Sequence, residues 1–347
     1  MNATARLVSL ATAVPAHVLR QTEVMHWARG LFRTDGEIER LLPAYANAGI
    51  ETRYSCVPLE WYGQPHGWAE KNRLYIENAV ELLERAAQGA LERAGLAPGA
   101  VDSVVTVSTS GIAAPSLDAL LVDRLGLRPE VRRLPIFGLG CAGGVLGLTR
   151  AAALARASPG ETVLFLVVEL CGLTFRRSDK RKCNVIATAL FGDGAAAALV
   201  DTGSRGLALG ASGEYRWPNS LEVMGWRVED DGLGVLFSRD IPELVRRDLR
   251  PAAERFLVAN GLRLSDIAGF ICHPGGAKVL SALEDAFGLE PEALADARAT
   301  LRDFGNISAA SVLFVLERSL ARMAPGRHLM SALGPGFTAG FLVLEAG

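Results

Sequence analysis

The chain has 347 residues, half of them hydrophobic, and a formal net charge of -2. That length holds one large domain or two ordinary ones around a substantial core, and interspersed charge without a Lys/Arg block argues against nucleic acid or an anionic membrane as partner. The five cysteines, Cys56, Cys141, Cys171, Cys183 and Cys272, are scattered without CxxC or CxxH spacing, which argues against a disulfide framework and against a structural zinc site.

In chain order, "LVSLATAVPA" (residues 7–16) reads as a first strand and not as a signal peptide, because Arg6 is its only basic flank and its apolar run is broken. Apolar residues at three- and four-residue steps in "NAVELLERAAQGALERAGL" (78–96) predict a helix. "VDSVVTVSTSGIAAPSLDALLVDRLGLRPE" (101–130) then reads as strand, small-residue loop and helix, and "FGLGCAGGVLGLTRAAALARASPG" (137–160) as a glycine-rich turn opening another helix. The run "TVLFLVVELCGLTF" (162–175) is too short to span a bilayer and carries Glu169. A soluble, cytoplasmic protein is expected.

The second half repeats the first. A helix, "PELVRRDLRPAAERFLVANGL" (242–262), precedes "SDIAGFICHPGGAKVLSALEDAFGLEPE" (265–292), which matches 101–130. "FGNISAASVLFVLERSLARMAPG" (304–326) matches 137–160, and "RHLMSALGPGFTAGFLVLE" (327–345) follows as "ETVLFLVVE" does in the first half. One α/β unit therefore occurs twice, about 165 residues apart, and predicts two strand-rich layers with a site where the halves meet. Residues 1–203 and 204–347 are taken as the two units.

Positions that differ between the copies are the chemical candidates. Cys141 aligns with Ser308, and His273 with Thr109; Asn306 lies two residues before Ser308. Cys141 follows a strand and opens a helix, where the dipole favours a thiolate and small neighbours admit a ligand. His273 stands at a strand end before Pro-Gly-Gly, where a neutral imidazole can raise the thiolate fraction of Cys141 and donate to a carbonyl oxygen. Asn306 offers an amide donor at a helix start, a position where an ordinary N-cap is the plain alternative.

At this point the chain resembles the type III polyketide synthases, the chalcone-synthase-like branch of the thiolase superfamily. The resemblance is carried by "ATAVPAHVL", "AGIETRY", "STSGIAAPS", "GCAGGVLGL", "ALFGDGAAAALV", "GLGVLFSRDIP", "CHPGGAKVL", "GNISAASVLFVLE" and "LGPGFTAGFLVLE", spread over essentially the whole sequence. It implies a thiolase fold, an α/β architecture of five αβαβα layers built by duplication. It also implies an acyltransferase with Cys141 as the acyl-accepting nucleophile, and with His273 and Asn306 binding the thioester oxygen of malonyl-CoA during decarboxylation.

By the same resemblance Phe191 stands between the CoA tunnel and the cavity; Thr109, Cys171, Thr174 and Ser308 line the cavity; and Gly334, Pro335 and Gly336 form a loop shaping it near the nucleophile. Two larger family residues are replaced by Val235 and Ala114, which suggests room for a long, slender starter. Two basic residues that flank CoA in plant members fall at Pro43 and Asn47, leaving Arg40, with Arg53 and Lys278 as substitutes. The run "EVMGWRVEDDGLGVLFSRDIPELV" looks like the bacterial branch that makes alkylpyrones or alkylresorcinols from fatty acyl starters. A synthase making a tetrahydroxynaphthalene from malonyl-CoA alone stays open through Cys171. An initiating ketoacyl synthase, whose histidine motif reads His-Gln-Ala-Asn and not "HPGG", and an inactive scaffold are weaker alternatives. A homodimer is implied, with malonyl-CoA and an acyl-CoA starter as substrates and an acyl carrier protein open as donor; no metal or redox cofactor is implied.

Overall fold

The computed structural model describes residues 3–32 and 38–347. Its strands are β1 (Ala5–Ala13), β2 (His17–Arg20), β3 (Thr52–Ser55), β4 (Val101–Val107), β5 (Arg132–Ile136), β6 (Thr162–Leu170), β7 (Asp193–Asp201), β8 (Leu207–Arg216), β9 (Met224–Glu229), β10 (Gly232–Phe237), β11 (Ile267–Cys272), β12 (Gly326–Gly334) and β13 (Thr338–Ala346). A nine-stranded sheet runs in the order β11-β12-β13-β8-β1-β7-β6-β4-β5, while β2 pairs with β3 and β9 with β10.

The sheet order carries the duplication. In the first half β4 is parallel to β6, β6 antiparallel to β7, and β7 antiparallel to β1. In the second half β11 is parallel to β12, β12 antiparallel to β13, and β13 antiparallel to β8. The halves join through a short antiparallel seam in which Ala5–Leu7 pair with Leu207–Leu209. Among the described residues β5 has no counterpart in the second half.

Alternation along β6 shows the layers. Leu164, Leu166 and Val168 belong to one apolar cluster with the helices Trp68–Ala94 and Leu117–Leu125, whereas Val163, Phe165 and Val167 belong to a second one with the helices Gly143–Ala157 and Ser311–Leu320. A strand buried on both faces needs apolar residues at every position, which explains why this segment shows no polar alternation. The second cluster continues past the other half-sheet to the helices Arg250–Ala259 and Ala277–Phe287. Helices thus lie outside both half-sheets and between them, giving five layers. Each fully buried Leu or Phe of these clusters contributes on the order of 1.5–3 kcal/mol of transfer free energy.

The two central helices touch because glycine allows it. A Cβ on Gly144 would lie 2.2 Å from the Ala309 carbonyl oxygen and 2.6 Å from Val312 Cγ1. This seam is formed by equivalent segments of the two repeats, and it brings their N-terminal turns side by side.

Candidate active site

Cys141 sits in a single 3-10 turn, Gly140–Ala142, that leads into the helix Gly143–Ala157. Gly140 has φ +45°, a left-handed backbone that favours glycine. Its N–H donates to Thr109 Oγ1 at 3.1 Å, and a Cβ there would meet Pro335 Cδ at 2.6 Å. A Cβ on Gly334 would come within 2.5 Å of the Leu139 oxygen. Thr109, Gly334 and Pro335 thus form the mould around the Cys141 turn, and Gly336, at φ +64°, ties the loop to β9 by donating to Met224 O at 3.0 Å.

The Cys141 Sγ lies 3.4 Å from Ser308 Oγ. Burial pushes the thiol up to about 12; the Ser308 hydrogen bond pulls the other way, and the nearby Glu169 carboxylate adds to the rise. Burial thus favours the thiol form of Cys141 and works against the thiolate expected from the helix start.

His273 extends the β11–β12 ladder by one step, its N–H donating to Ser331 O at 2.9 Å. Both ring nitrogens are buried, and neither has a hydrogen-bond partner among the described residues. Burial lowers the imidazole to about 3, so the ring is neutral at physiological pH. A buried, unpaired donor is costly unless something arrives to use it.

Asn306 Nδ2 donates to Gly275 O at 3.1 Å, and its Oδ1 accepts from Ser308 N–H at 2.8 Å. Hydrogen bonds thus run from Cys141 through Ser308 and Asn306 to Gly275, whose own N–H donates to His273 O at 3.1 Å. The cysteine, histidine and asparagine picked from three separate motifs converge at the ends of matching elements. Asn306 also makes a β-bridge with Phe191: its N–H donates to Leu190 O at 2.8 Å, and Gly192 N–H donates to Asn306 O at 3.0 Å.

Phe191, Cys171, Ala187 and Val235 form a small buried cluster, with Trp226 and Phe237 at 6.0 and 5.6 Å from the Phe191 ring centroid. An open cleft adjoins it, lined by Leu19, Val24, Trp27, Thr174 and Phe175, with Arg53 in its wall. Thr174 Oγ1 donates to Cys171 O at 2.7 Å. The β9–β10 hairpin brings Val235 to this wall, and its tip is held by Asp231, which accepts from Arg176 at 2.5 Å and from Ser178 at 3.0 Å.

Ala114 lies in an exposed loop and does not line this cleft within a single chain. Arg40 and Lys278 are exposed on the surface. Arg53 is a correction: it is 3% exposed and cannot meet a CoA phosphate at the rim. Its guanidinium donates to the carbonyls of Thr188 (2.5 Å), Ala189 (3.1 Å) and Phe191 (3.1 Å) and to Gln21 Oε1.

Glu169 gained no role from the sequence beyond a charge interrupting an apolar run. It is 1% exposed, its Oε2 accepts from Thr109 N–H at 3.1 Å, and its Oε1 has no partner among the described residues. Burial raises the carboxyl to about 7. The interruption itself was the available signal, since a buried acid in a strand must do something specific.

Residues 1–204 match the family profile of chalcone and stilbene synthases, N-terminal domain, and residues 210–346 that of the C-terminal domain. The chain is 38% identical to a putative chalcone synthase of Bacillus subtilis over 357 residues, 98% of each chain. It is 39% identical to a 1,3,6,8-tetrahydroxynaphthalene synthase of Streptomyces peucetius, over 96% of this chain and 91% of that one. Among solved structures, the 1,3,6,8-tetrahydroxynaphthalene synthase of Streptomyces coelicolor superposes with a TM-score of 0.94 at 30% identity, covering 98% of this chain and 99% of that one. Germicidin synthase of the same species gives 0.92 at 26% identity, covering 99% of each.

Proposed function

Because this chain belongs to the chalcone and stilbene synthase family, the type III polyketide synthases, we propose that Cys141, His273 and Asn306 are the groups with which it performs the family's acyl transfer and condensation. Cys141 attacks the carbonyl of an acyl-CoA starter, the C–S bond to CoA breaks, and CoA leaves as the thiol with the proton that Cys141 gives up. The thioester oxygen of malonyl-CoA then sits against His273 and Asn306. Loss of CO2 leaves an enolate whose negative oxygen needs preorganised donors in a dry site. The enolate carbon attacks the Cys141 thioester, forming a C–C bond and releasing the thiolate. The product is a β-ketoacyl-CoA two carbons longer, ready for reloading.

The observation that carries this assignment is the buried, neutral His273 ring, without a hydrogen-bond partner among the described residues, on a residue whose backbone carbonyl is linked through Gly275 and Asn306 to Ser308 and Cys141. Phe191 supports the decarboxylation by presenting an apolar ring where the malonyl carboxylate would lie, an environment that disfavours charge.

For the starter we infer a fatty acyl-CoA, with cyclisation to an alkylpyrone or alkylresorcinol. The supporting observation is the cleft lined by Cys171, Phe191 and Val235, whose walls are apolar along Leu19, Val24, Trp27 and Phe175 and polar at Arg53, Asn184 and Thr188. A second reading, a tetrahydroxynaphthalene made from malonyl-CoA alone, is favoured by the 39% identity to the Streptomyces peucetius enzyme. The exposed Ile112, Leu134 and Phe137, 50, 40 and 60% accessible, support a homodimer through the face that carries the Ala114 loop. Among the described residues no helix is long and apolar enough to cross a membrane.

Incubation with malonyl-CoA, alone and with acetyl- to stearoyl-CoA, followed by mass spectrometry, tests the reading. Pyrones or resorcinols from long starters are expected. A naphthalene from malonyl-CoA alone selects the second reading, and no product with any CoA donor except one on a carrier protein reassigns the donor.

A further inference from the structure

Arg53 is a cation placed where cations are rarely placed: 3% exposed, with an Nε that has no partner among the described residues. Among the described residues the hydrogen bonds that hold it involve no carboxylate, and the Asp193 carboxylate acts on it through space. They converge on the last turn of the helix Lys182–Leu190 and on the residue after it, through the carbonyls of Thr188, Ala189 and Phe191. A helix C-terminus carries unpaired carbonyls and a partial negative charge, so one guanidinium satisfies three acceptors at once. Gln21 braces the arrangement from the far side, accepting from Arg53 and donating to Ala189 O and Tyr45 O, each at 3.0 Å.

The same short strand is tied to the asparagine's side of the site. Glu51 N–H donates to Arg302 O at 2.8 Å, and Thr52 Oγ1 donates to Asp303 O at 2.7 Å, so β3 lies against the end of the helix that leads into Asn306. A Cβ on Gly192 would come within 3.3 Å of Arg53 Cβ, and one on Gly305 within 3.4 Å. Arg53 is therefore the side chain at the junction between the Phe191 and Asn306 segments, which are themselves zipped by the bridge Leu190–Asn306–Gly192. The Cys141 turn is moulded by Thr109 and Pro335, and it meets the Asn306 segment through Ser308, whose N–H donates to Asn306 Oδ1.

We propose that Arg53 is a positioning residue for malonyl-CoA decarboxylation: by clamping the carbonyls of Thr188, Ala189 and Phe191 it fixes the Phe191 ring and the Asn306 amide as a pair, and bears less on acylation of Cys141, whose turn is moulded by Thr109 and Pro335. The inference rests on the roles proposed above for Phe191, Asn306 and Cys141, and it adds a division between the two half-reactions.

The test separates the halves. Acylation is followed by intact mass after mixing with acetyl-CoA, because Arg53 also lines the cleft proposed for a long starter, and decarboxylation by conversion of malonyl-CoA to acetyl-CoA. In Arg53→Met decarboxylation should fall about tenfold or more while acylation stays within about twofold, because a small misplacement of positioned groups costs rate only where those groups act. Arg53→Lys should recover part of the loss, since an ammonium can still reach one carbonyl. Equal loss in both half-reactions, or unchanged decarboxylation, overturns the proposal. Should Arg53→Met fail to fold, Gln21→Leu removes the brace and keeps the charge; it should show the same split more weakly, and equal loss or none overturns the proposal there too. Failure of the underlying site assignment is visible separately in the wild type, as absence of an acyl adduct on Cys141 or of decarboxylation, and that result takes this inference with it.

Discussion

Cys141 and Ser308, equivalent positions in the two halves of the chain, meet with Sγ and Oγ 3.4 Å apart at the seam between the central helices. The repeat therefore places a thiol and a hydroxyl at matching turns. Its consequence is electrostatic: the Ser308 hydroxyl opposes the burial that holds the thiol up at about 12.

Ser308→Ala should raise the Cys141 pKa further and slow its alkylation by iodoacetamide at pH 8 by about threefold, since the thiolate is the attacking form. The adduct is counted by mass. Unchanged alkylation would show that Ser308 does not tune the thiol. Cys141→Ala should abolish condensation, and undiminished product would sink the nucleophile assignment.

Val235 is 4% exposed and packs with Cys171 and Phe191 on the cleft wall. Val235→Phe adds a ring where the structure has only a short branched side chain. The preferred starter should shift toward shorter acyl chains, read as the ratio of products from a lauroyl-CoA and hexanoyl-CoA mixture. An unaltered ratio would remove Val235 from the control of chain length.

Glu169 has a folded-state carboxyl raised by burial to about 7 from an ordinary 4.5. Its contribution to stability is complete below pH 4.5 and is lost as pH rises through 7, because the unfolded chain ionises first. His273, lowered by burial to about 3 from 6.5, has the opposite sign and loses stability as pH falls from 6.5 toward 3. Comparing Glu169→Gln with wild type isolates the first effect. The Tm difference, variant minus wild type, should be more positive at pH 8 than at pH 5, with the whole effect bounded by about 3 kcal/mol. A difference independent of pH would place Glu169 in a solvated environment.

Gly144 allows the central helices to touch. Gly144→Ala would set a methyl group 2.2 Å from Ala309 O and 2.6 Å from Val312 Cγ1, contacts that force the helices apart. Overpacking of this kind costs about 1–3 kcal/mol or more, which outweighs the roughly 1 kcal/mol that alanine gains in helix propensity. Urea denaturation measures the loss. Gly99→Ala is the control: it is exposed, and its Cβ would meet nothing within 4 Å. Equal stability of the two variants would mean that the helix seam yields freely.

Much of this protein is written in short stretches of its sequence. Continuous apolar residues in Val163–Val168, the three- and four-residue spacing in Ala79–Leu91, and the paired strand-loop-helix blocks determined elements and their duplication, because such signals depend on neighbours along the chain. Cys141, His273 and Asn306 were legible for the same reason: each stands in a distinctive local motif at a strand end or helix start. What only the tertiary structure decided is the environment of those groups. Arg53, basic and polar as a letter in the sequence, is buried under three carbonyls supplied from more than a hundred residues away. Cys141 faces a desolvation that raises its thiol pKa, His273 has no partner for either ring nitrogen among the described residues, and Glu169 holds the Thr109 loop from inside β6. Desolvation and hydrogen-bond partnership depend on which distant segments fill the space around a group, and no local pattern of residue types contains that information.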